Sequence, residues 1–241
     1  MPDYGAIIAG TGSCLPEKRL TNDDLSKMVE TNDEWITQRT GIKERRVVGV
    51  GESTASLSTN AAKRALDAAG LTAKDLDLIV VATITPEMGF PSTACFVAAG
   101  LGLDSTPAFD LAAACSGFMY GLETATSFIK SGRYRNILVV GAETISRITD
   151  YKDRGSCILF GDGAGAAIVQ RTNDLKRGII YSSIHADGHG WELIHHSPGS
   201  RHIMDEAMLA ERGQFIKLKG REVYKFAVTR FEELIEDAMR K

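Results

Sequence analysis

The chain has 241 residues, 44% apolar and 24% charged, a balance that excludes a disordered or fibrous protein and leaves room for one large or two modest cores. Its formal net charge of -3 argues against non-specific nucleic-acid binding, which needs a clustered positive surface to release counterions, though a local basic patch stays compatible with it. Four cysteines (Cys14, Cys95, Cys115 and Cys157) form no C-x-x-C pair, so neither a zinc site nor a disulfide framework is indicated and a reducing cytoplasm fits best.

The N-terminus carries an acid at Asp3 and only a short apolar run, unlike a secretory signal, and the apolar runs at 78–84 and 137–141 are too short to span a bilayer. These features predict a soluble protein. Residues 6–10 read as the first strand. Thr31 and Glu34 have capping-box spacing, which opens a helix through Trp35 and Arg39 and stops it at Gly41. Residues 56–69 form an Ala-rich amphipathic pattern closed by Gly70, and 78–83 a buried strand. Pro91-Ser-Thr starts another helix.

Residues 107–114 are apolar and bounded by Pro107, which suits a short buried strand. Phe118, Leu122, Ala125 and Ile129 then recur at helical spacing, with Gly132 placed as a stop. Cys115 therefore stands at or near a helix N-terminus. Residues 137–140 predict a strand, and 158–169, with apolar flanks around a glycine-rich turn, predict two strands and a tight hairpin. A polar link at 171–177 is the candidate domain boundary, followed by a strand at 179–185, a polar loop, a strand at 215–218 and a helix to the terminus. The alternation predicts a layered α/β fold, with a first half over 1–170 and a partial second half over 171–241. Two strands and one helix leave the second half's apolar faces with little to cover them.

Backbone N–H groups at a helix N-terminus stabilise an anion, favour the thiolate of a nearby thiol and can steady an oxyanion. The small residues Ala112, Ala113, Ala114 and Gly117 would let a thioester approach the backbone around Cys115. Cys14, Cys95 and Cys157 read as small buried hydrophobes. Gly161-Asp-Gly-Ala-Gly lacks the Lys-Ser/Thr of a phosphate loop, and Gly10-Thr-Gly12 lacks the third glycine of a dinucleotide fingerprint. His189, His195, His196 and His202 crowd one loop without ligand spacing on a defined element, so no metal is assigned.

The segment Asp110-Leu-Ala-Ala-Ala-Cys-Ser-Gly-Phe resembles the nucleophile segment of the β-ketoacyl-acyl carrier protein synthase III family, the thiolase-fold enzymes that start fatty acid elongation. Gly10-Thr-Gly-Ser-Cys-Leu-Pro-Glu17, Thr31-Asn-Asp-Glu-Trp-Ile36, Arg39-Thr-Gly-Ile42, Phe90-Pro-Ser92, Asp153-Arg-Gly155, Leu159-Phe-Gly-Asp-Gly-Ala-Gly-Ala-Ala167, His185-Ala-Asp-Gly188 and Gly220-Arg-Glu-Val223 follow in family order. The resemblance implies that Cys115 is acylated by an acyl-CoA primer and that the acyl group is condensed with malonyl-acyl carrier protein. It implies that Trp35 and Arg154 sandwich the adenine and that Arg39 meets the CoA phosphates. The spacing is compatible, since Trp35 and Arg39 are i,i+4 neighbours offering a π surface beside a permanent cation, although a tryptophan there can also simply pack the helix.

Phe90 resembles the residue that crosses a dimer interface and limits the neighbour's acyl pocket, with a loop aromatic tucked into local core as the alternative. Lys225 matches a position that receives the acidic carrier protein, against a lone lysine on a solvated face. The resemblance further implies a cytoplasmic homodimer with no cofactor beyond the CoA thioester substrate, and no metal, nucleic-acid or membrane partner. The family's catalytic histidine, in a Pro-His-Gln-Ala-Asn-like segment, and its later asparagine have no counterpart here, and the chain stops where that second half is expected to continue. The expectation is an initiating condensing enzyme in shortened form. A non-catalytic acyl-CoA-binding or structural partner, or a related thioester acyltransferase, are the other readings.

Overall fold

The computed structural model describes residues 4–240. In chain order these form β1 (Gly5–Cys14), β2 (Arg19–Thr21), α1 (Asn22–Ser26), α2 (Asp33–Thr40), β3 (Glu44–Arg46), α3 (Thr54–Ala69), β4 (Leu78–Ala82), α4 (Thr93–Gly100), β5 (Ala108–Leu111), α5 (Gly117–Lys130), β6 (Asn136–Thr144), α6 (Arg154–Cys157), β7 (Asp162–Thr172), β8 (Ile194–His195), α7 (Glu206–Ala210), β9 (Lys217–Leu218) and α8 (Gly220–Met239). They fall into two compact units. One takes the described residues up to Lys18 with Arg46–Thr144 and Asp162–Ile184; the other takes Arg19–Arg45, Ile145–Gly161 and the described residues from His185 onward.

The first unit is a three-layer α/β/α structure on a mixed sheet of order β1-β7-β6-β4-β5. β4 runs parallel to β5 and β6, whereas β7 is antiparallel to both β6 and β1. Parallel strands buried on both faces call for unbroken apolar runs, and β4 (Leu-Ile-Val-Val-Ala) is buried at every position. Ile79 and Val81 pack with Leu57, Ala61, Ala65, Ala94 and Val97 on one face, while Leu78 and Val80 pack with Leu122, Ala125 and Ile129 on the other. Each of the Leu, Ile and Val side chains contributes about 1.5–3 kcal/mol by leaving water.

α3 carries the Ala-rich stripe of the sequence reading, starts at a Ser53 capping box and ends at Gly70 in the left-handed region. It lies so close to β1 that a Cβ on Gly10 would come within 2.5 Å of the Ala65 carbonyl oxygen and the Ala69 nitrogen, and one on Gly12 would meet the Ala61 carbonyl and the Ala65 nitrogen. Gly10-Thr-Gly12 is thus a packing device between strand and helix.

The second unit is looser, with the two-stranded β2-β3 and β8-β9 pairs and the helices α1, α2, α6, α7 and α8. Buried Arg45 donates through Nε to the Ile158 carbonyl at 3.0 Å and also bonds Asn22, whose amide reaches Asp33 and the Ile42 carbonyl at 2.8 Å each. Asp150 accepts from Arg212 Nε at 2.7 Å and Nη2 at 2.5 Å.

Four expectations change. The cap of α2 is Asn32, whose side chain accepts from the Trp35 N–H at 2.8 Å, because the helix begins one residue later than the Thr31–Glu34 spacing suggests. Residues 158–169 are not a hairpin: Ile158 ends α6 and the glycines enter the single long strand β7. Gly163, Gly165 and the intervening Ala164 alternate at strand period, which outweighs the turn propensity of glycine when β6 and β1 offer ladders on both sides. Residues 179–185 form no ladder; the Ile179 N–H bonds the Ala6 carbonyl at 2.8 Å and the segment continues without regular structure. The strand at 215–218 shrinks to Lys217–Leu218.

Candidate active site

β5 aligns with β4 from Ala108 to Leu111 and delivers the chain to Cys115 through a single 3-10 turn, Ala114–Ser116. Ala114 has φ +45°, a left-handed conformation that costs a non-glycine residue about 1–3 kcal/mol and persists only where its surroundings impose it. α5 starts at Gly117, where a Cβ would stand 3.1 Å from the Ala82 Cβ. Glycine thus lets the helix begin against the carboxyl end of β4. No side chain caps the α5 N-terminus next to Cys115; its first residue, Gly117, donates its N–H to the Ala114 carbonyl of the preceding turn, and the helix dipole there favours an anion. Cys115 is exposed, and its sulfur is free.

The other cysteines separate by burial. Cys14 and Cys157 are buried, as small hydrophobes should be, and burial pushes the Cys157 thiol up, with Asp153 adding to the effect. Cys95 departs from that expectation: it is exposed near the start of α4, its Sγ 3.1 Å from the Ser92 hydroxyl, because the buried face of that helix is taken by Thr93, Ala94, Val97 and Ala98.

Phe90 sits in the loop between β4 and α4, followed by a cis peptide to Pro91, and is 87% exposed. The alternative of a loop aromatic tucked into local core is therefore removed for this unit. Two acidic residues that patterning does not single out hold the ends of that loop. Glu143, at the end of β6, accepts from the Ile84 N–H at 2.9 Å, the Thr83 hydroxyl at 3.4 Å and the Thr85 hydroxyl. Burial pushes its carboxyl pKa up, against the pull of those hydrogen bonds. Asp110, on β5, accepts from the Thr93 and Ala94 N–H groups at 2.6 and 2.8 Å, capping α4 where the Ser92 side chain makes no capping bond. A polar side chain inside an otherwise apolar strand is the signal that could have found Asp110. Glu143 has no comparable sign.

In the second unit the sequence separates Trp35 from Arg154 by more than a hundred residues, and the fold joins them. Trp35 stands on α2, with the Arg39 guanidinium 4.2 Å from its ring centroid and the Arg154 guanidinium 4.8 Å from it. Arg39 also donates to the Trp35 carbonyl at 3.4 Å, and Arg154 to the Glu30 carbonyl at 3.1 Å. Arg154 opens α6, whose N-cap is Asp153 and whose C-cap carbonyl, that of Ile158, is gripped by Arg45. A π surface bearing two cations can exchange one of them for a flat heteroaromatic ring while the other pairs with phosphate.

Lys225 lies on α8 and is exposed. Among the described residues no group of three or more His, Cys, Asp and Glu side chains could hold a metal, and no helix is long and apolar enough to cross a membrane.

Comparison with known proteins agrees with this arrangement. Residues 109–188, which include Cys115, match the family model for 3-oxoacyl-[acyl-carrier-protein] synthase III. The chain is 53% identical over 224 residues to β-ketoacyl-[acyl-carrier-protein] synthase III of Caldanaerobacter subterraneus subsp. tengcongensis, a match spanning 92% of this chain and 67% of that protein. It is 47% identical over 234 residues to the corresponding synthase of Thioalkalivibrio sulfidiphilus, spanning 97% and 71%. The crystal structure of 3-oxoacyl-[acyl-carrier-protein] synthase III from Aquifex aeolicus VF5 superposes with a TM-score of 0.84 at 47% identity, over 97% of this chain and 70% of that one. The mixed sheet with helices on both faces is accordingly the thiolase-like layered fold that the resemblance implies. A strained turn presenting a free cysteine at an uncapped helix, in a chain alike over nearly its whole length to these synthases, leaves one assignment: it belongs to the β-ketoacyl-[acyl-carrier-protein] synthase III family.

Proposed function

We propose that this chain is an acyltransferase of fatty acid synthesis whose Cys115 takes the acyl primer from acyl-CoA for condensation with malonyl-acyl carrier protein. The observation that carries the reading is the exposed Cys115 between the left-handed Ala114 and the uncapped start of α5. The Cys115 sulfur, as thiolate, attacks the thioester carbonyl. The tetrahedral oxyanion is steadied by backbone N–H groups of the first turn, the C–S bond to CoA breaks, and CoA leaves as a thiol after taking up a proton. Condensation then joins the acyl group to the carbanion formed as malonyl-carrier protein loses CO2, and the Cys115 thiolate is released.

Trp35 and Arg154 take the adenine and Arg39 the CoA phosphates, supported by their convergence on one ring. With both guanidiniums on Trp35, adenine binding between Trp35 and Arg154 displaces the Arg154 stack, which among the described residues is tethered by a hydrogen bond to the Glu30 carbonyl. Phe90 borders the acyl pocket across a homodimer interface, supported by its exposure. Lys225 helps receive the acidic carrier protein. Residues 1–170 act as the half that holds the nucleophile and 171–241 as part of the second half. The protein works in the cytoplasm on soluble thioesters with no cofactor, metal, nucleic acid or membrane partner. The net charge of -3 supports the absence of a nucleic-acid partner.

The 241 residues hold neither the Pro-His-Gln-Ala-Asn-like segment nor the later asparagine motif. Loss of one oxyanion donor typically slows acyl chemistry by about 10²–10³-fold, so condensation by these residues alone is expected to be slow while acyl transfer to Cys115 proceeds. Incubation with acetyl-CoA followed by intact-protein mass measurement tests this. One acetyl group is expected on the wild type and none on Cys115→Ala. Retention of CoA by the wild type without any adduct overturns the transferase reading in favour of a binding module.

A further inference from the structure

The loop that presents Phe90 is held at both ends by carboxylates reaching in from neighbouring strands. At its start, Glu143 of β6 binds the backbone of Ile84 and the hydroxyls of Thr83 and Thr85. Thr85 is locked further: its hydroxyl oxygen accepts from the Thr144 N–H at 2.9 Å, and its carbonyl accepts from the Thr54 hydroxyl at 2.7 Å. Midway, the Glu87 carboxylate accepts from the Ala55 N–H at 3.0 Å, and the Glu87 N–H donates to the Thr93 hydroxyl at 3.0 Å. At its end, Asp110 binds the Thr93 and Ala94 amides. Phe90 itself is 87% exposed, so its own packing within the unit does little to place it. Its position is set by its anchors.

We infer that Glu143 and Asp110 are positioning residues that fix Phe90 by clamping the two ends of its loop, and that they thereby set which acyl chain lengths the partner subunit's Cys115 accepts. The inference rests on the reading of Phe90 as a border of the acyl pocket. Asp110 lies five residues before Cys115 on the strand that delivers the nucleophile, so one side chain links the turn carrying the sulfur to the helix that follows the phenylalanine. A side chain that limits a pocket discriminates between chain lengths only while its backbone is held, because one methylene in an apolar pocket is worth about 10–200-fold in rate.

The test measures two quantities on the 241-residue chain. One is amide hydrogen exchange over residues 83–94. The other is the ratio of Cys115 acylation rates with octanoyl-CoA and acetyl-CoA, read by intact mass. Glu143→Ala and Asp110→Ala are expected to speed exchange across the loop and to move the ratio about tenfold toward that of Phe90→Ala. Glu143→Gln, which keeps an acceptor for the Ile84 amide, is expected to hold the ratio near wild type. Asp110→Asn replaces the alanine variant if that one fails to fold.

Faster exchange with an unmoved ratio makes the carboxylates structural only and overturns the inference. If Phe90→Ala leaves the ratio unchanged, or the wild type forms no adduct with either thioester, the reading of the pocket fails and the inference falls with it. If Phe90→Ala moves the ratio and neither clamp variant does, the clamp alone is wrong.

Discussion

α3 and α8 are both long amphipathic helices, yet they end in opposite environments. α3 buries eight of its sixteen residues, among them Leu57, Ala61, Ala62 and Ala65 at 1% exposure or less. α8 buries none of its twenty, and Tyr224, Phe226, Val228, Phe231, Leu234 and Ile235 are all at least 41% exposed. The difference lies in what each helix meets. α3 is matched by β1, where Gly10 and Gly12 remove the side chains that would hold it off. An apolar stripe in the sequence specifies a face to be covered, and only a complementary surface turns that face into stability.

Substitutions can break or sharpen this contrast. The largest effect is expected at Leu57→Ala, which should lower unfolding free energy by about 2–5 kcal/mol in urea titrations, as a large-to-small change in a closed core. A value below about 1 kcal/mol would mean that the layer around α3 relaxes freely. Gly10→Ala should follow at about 1–3 kcal/mol, since the added methyl meets helix backbone rather than a flexible side chain. Full stability in this variant would contradict the close strand–helix approach.

Asp150→Asn should have a smaller effect with a pH signature. The Arg212 guanidinium holds the Asp150 carboxyl below the usual carboxylate range. Its contribution is therefore present above the unfolded value of about 3.9 and lost as pH falls through the lower folded value. The gap in thermal midpoint between wild type and variant should be constant near neutrality and close below about pH 4. A gap that widens in acid would give the pair the wrong sign.

The smallest effect is expected at Phe231→Ala on α8, within about 0.5 kcal/mol, because the ring is already 67% exposed. A loss comparable to that of Leu57→Ala would show that something covers this face in solution, and the contrast between the two helices would disappear.

Much of the first unit was legible because its signals are local. Unbroken apolar runs mark β4 and β6, Gly70 closes α3, and the residues around Cys115 carry the family pattern from which the nucleophile was read. Where local signals compete, the outcome was not legible. The glycines of 161–165 suit a turn as well as a strand, and the ladders offered by β1 and β6 decided for the strand. The second unit was less readable, since its short pairs depend on partners such as Ile148, whose carbonyl receives the Ile216 N–H at 2.8 Å.

The sequence by itself determined the main helices and strands of the first unit up to β6, their apolar faces, the family and the one cysteine set before a helix, because hydrophobic period and motif spacing act over a few residues. Tertiary structure alone decided that Arg154 comes to rest on Trp35, that Asp110 caps a helix seventeen residues before it, and that Glu143 reaches back to Thr85. Those contacts join residues whose separation in the chain carries no periodic signature. They rest on elements that the sheet holds side by side at the carboxyl ends of β4, β5 and β6 and on α6, whose end Arg45 grips.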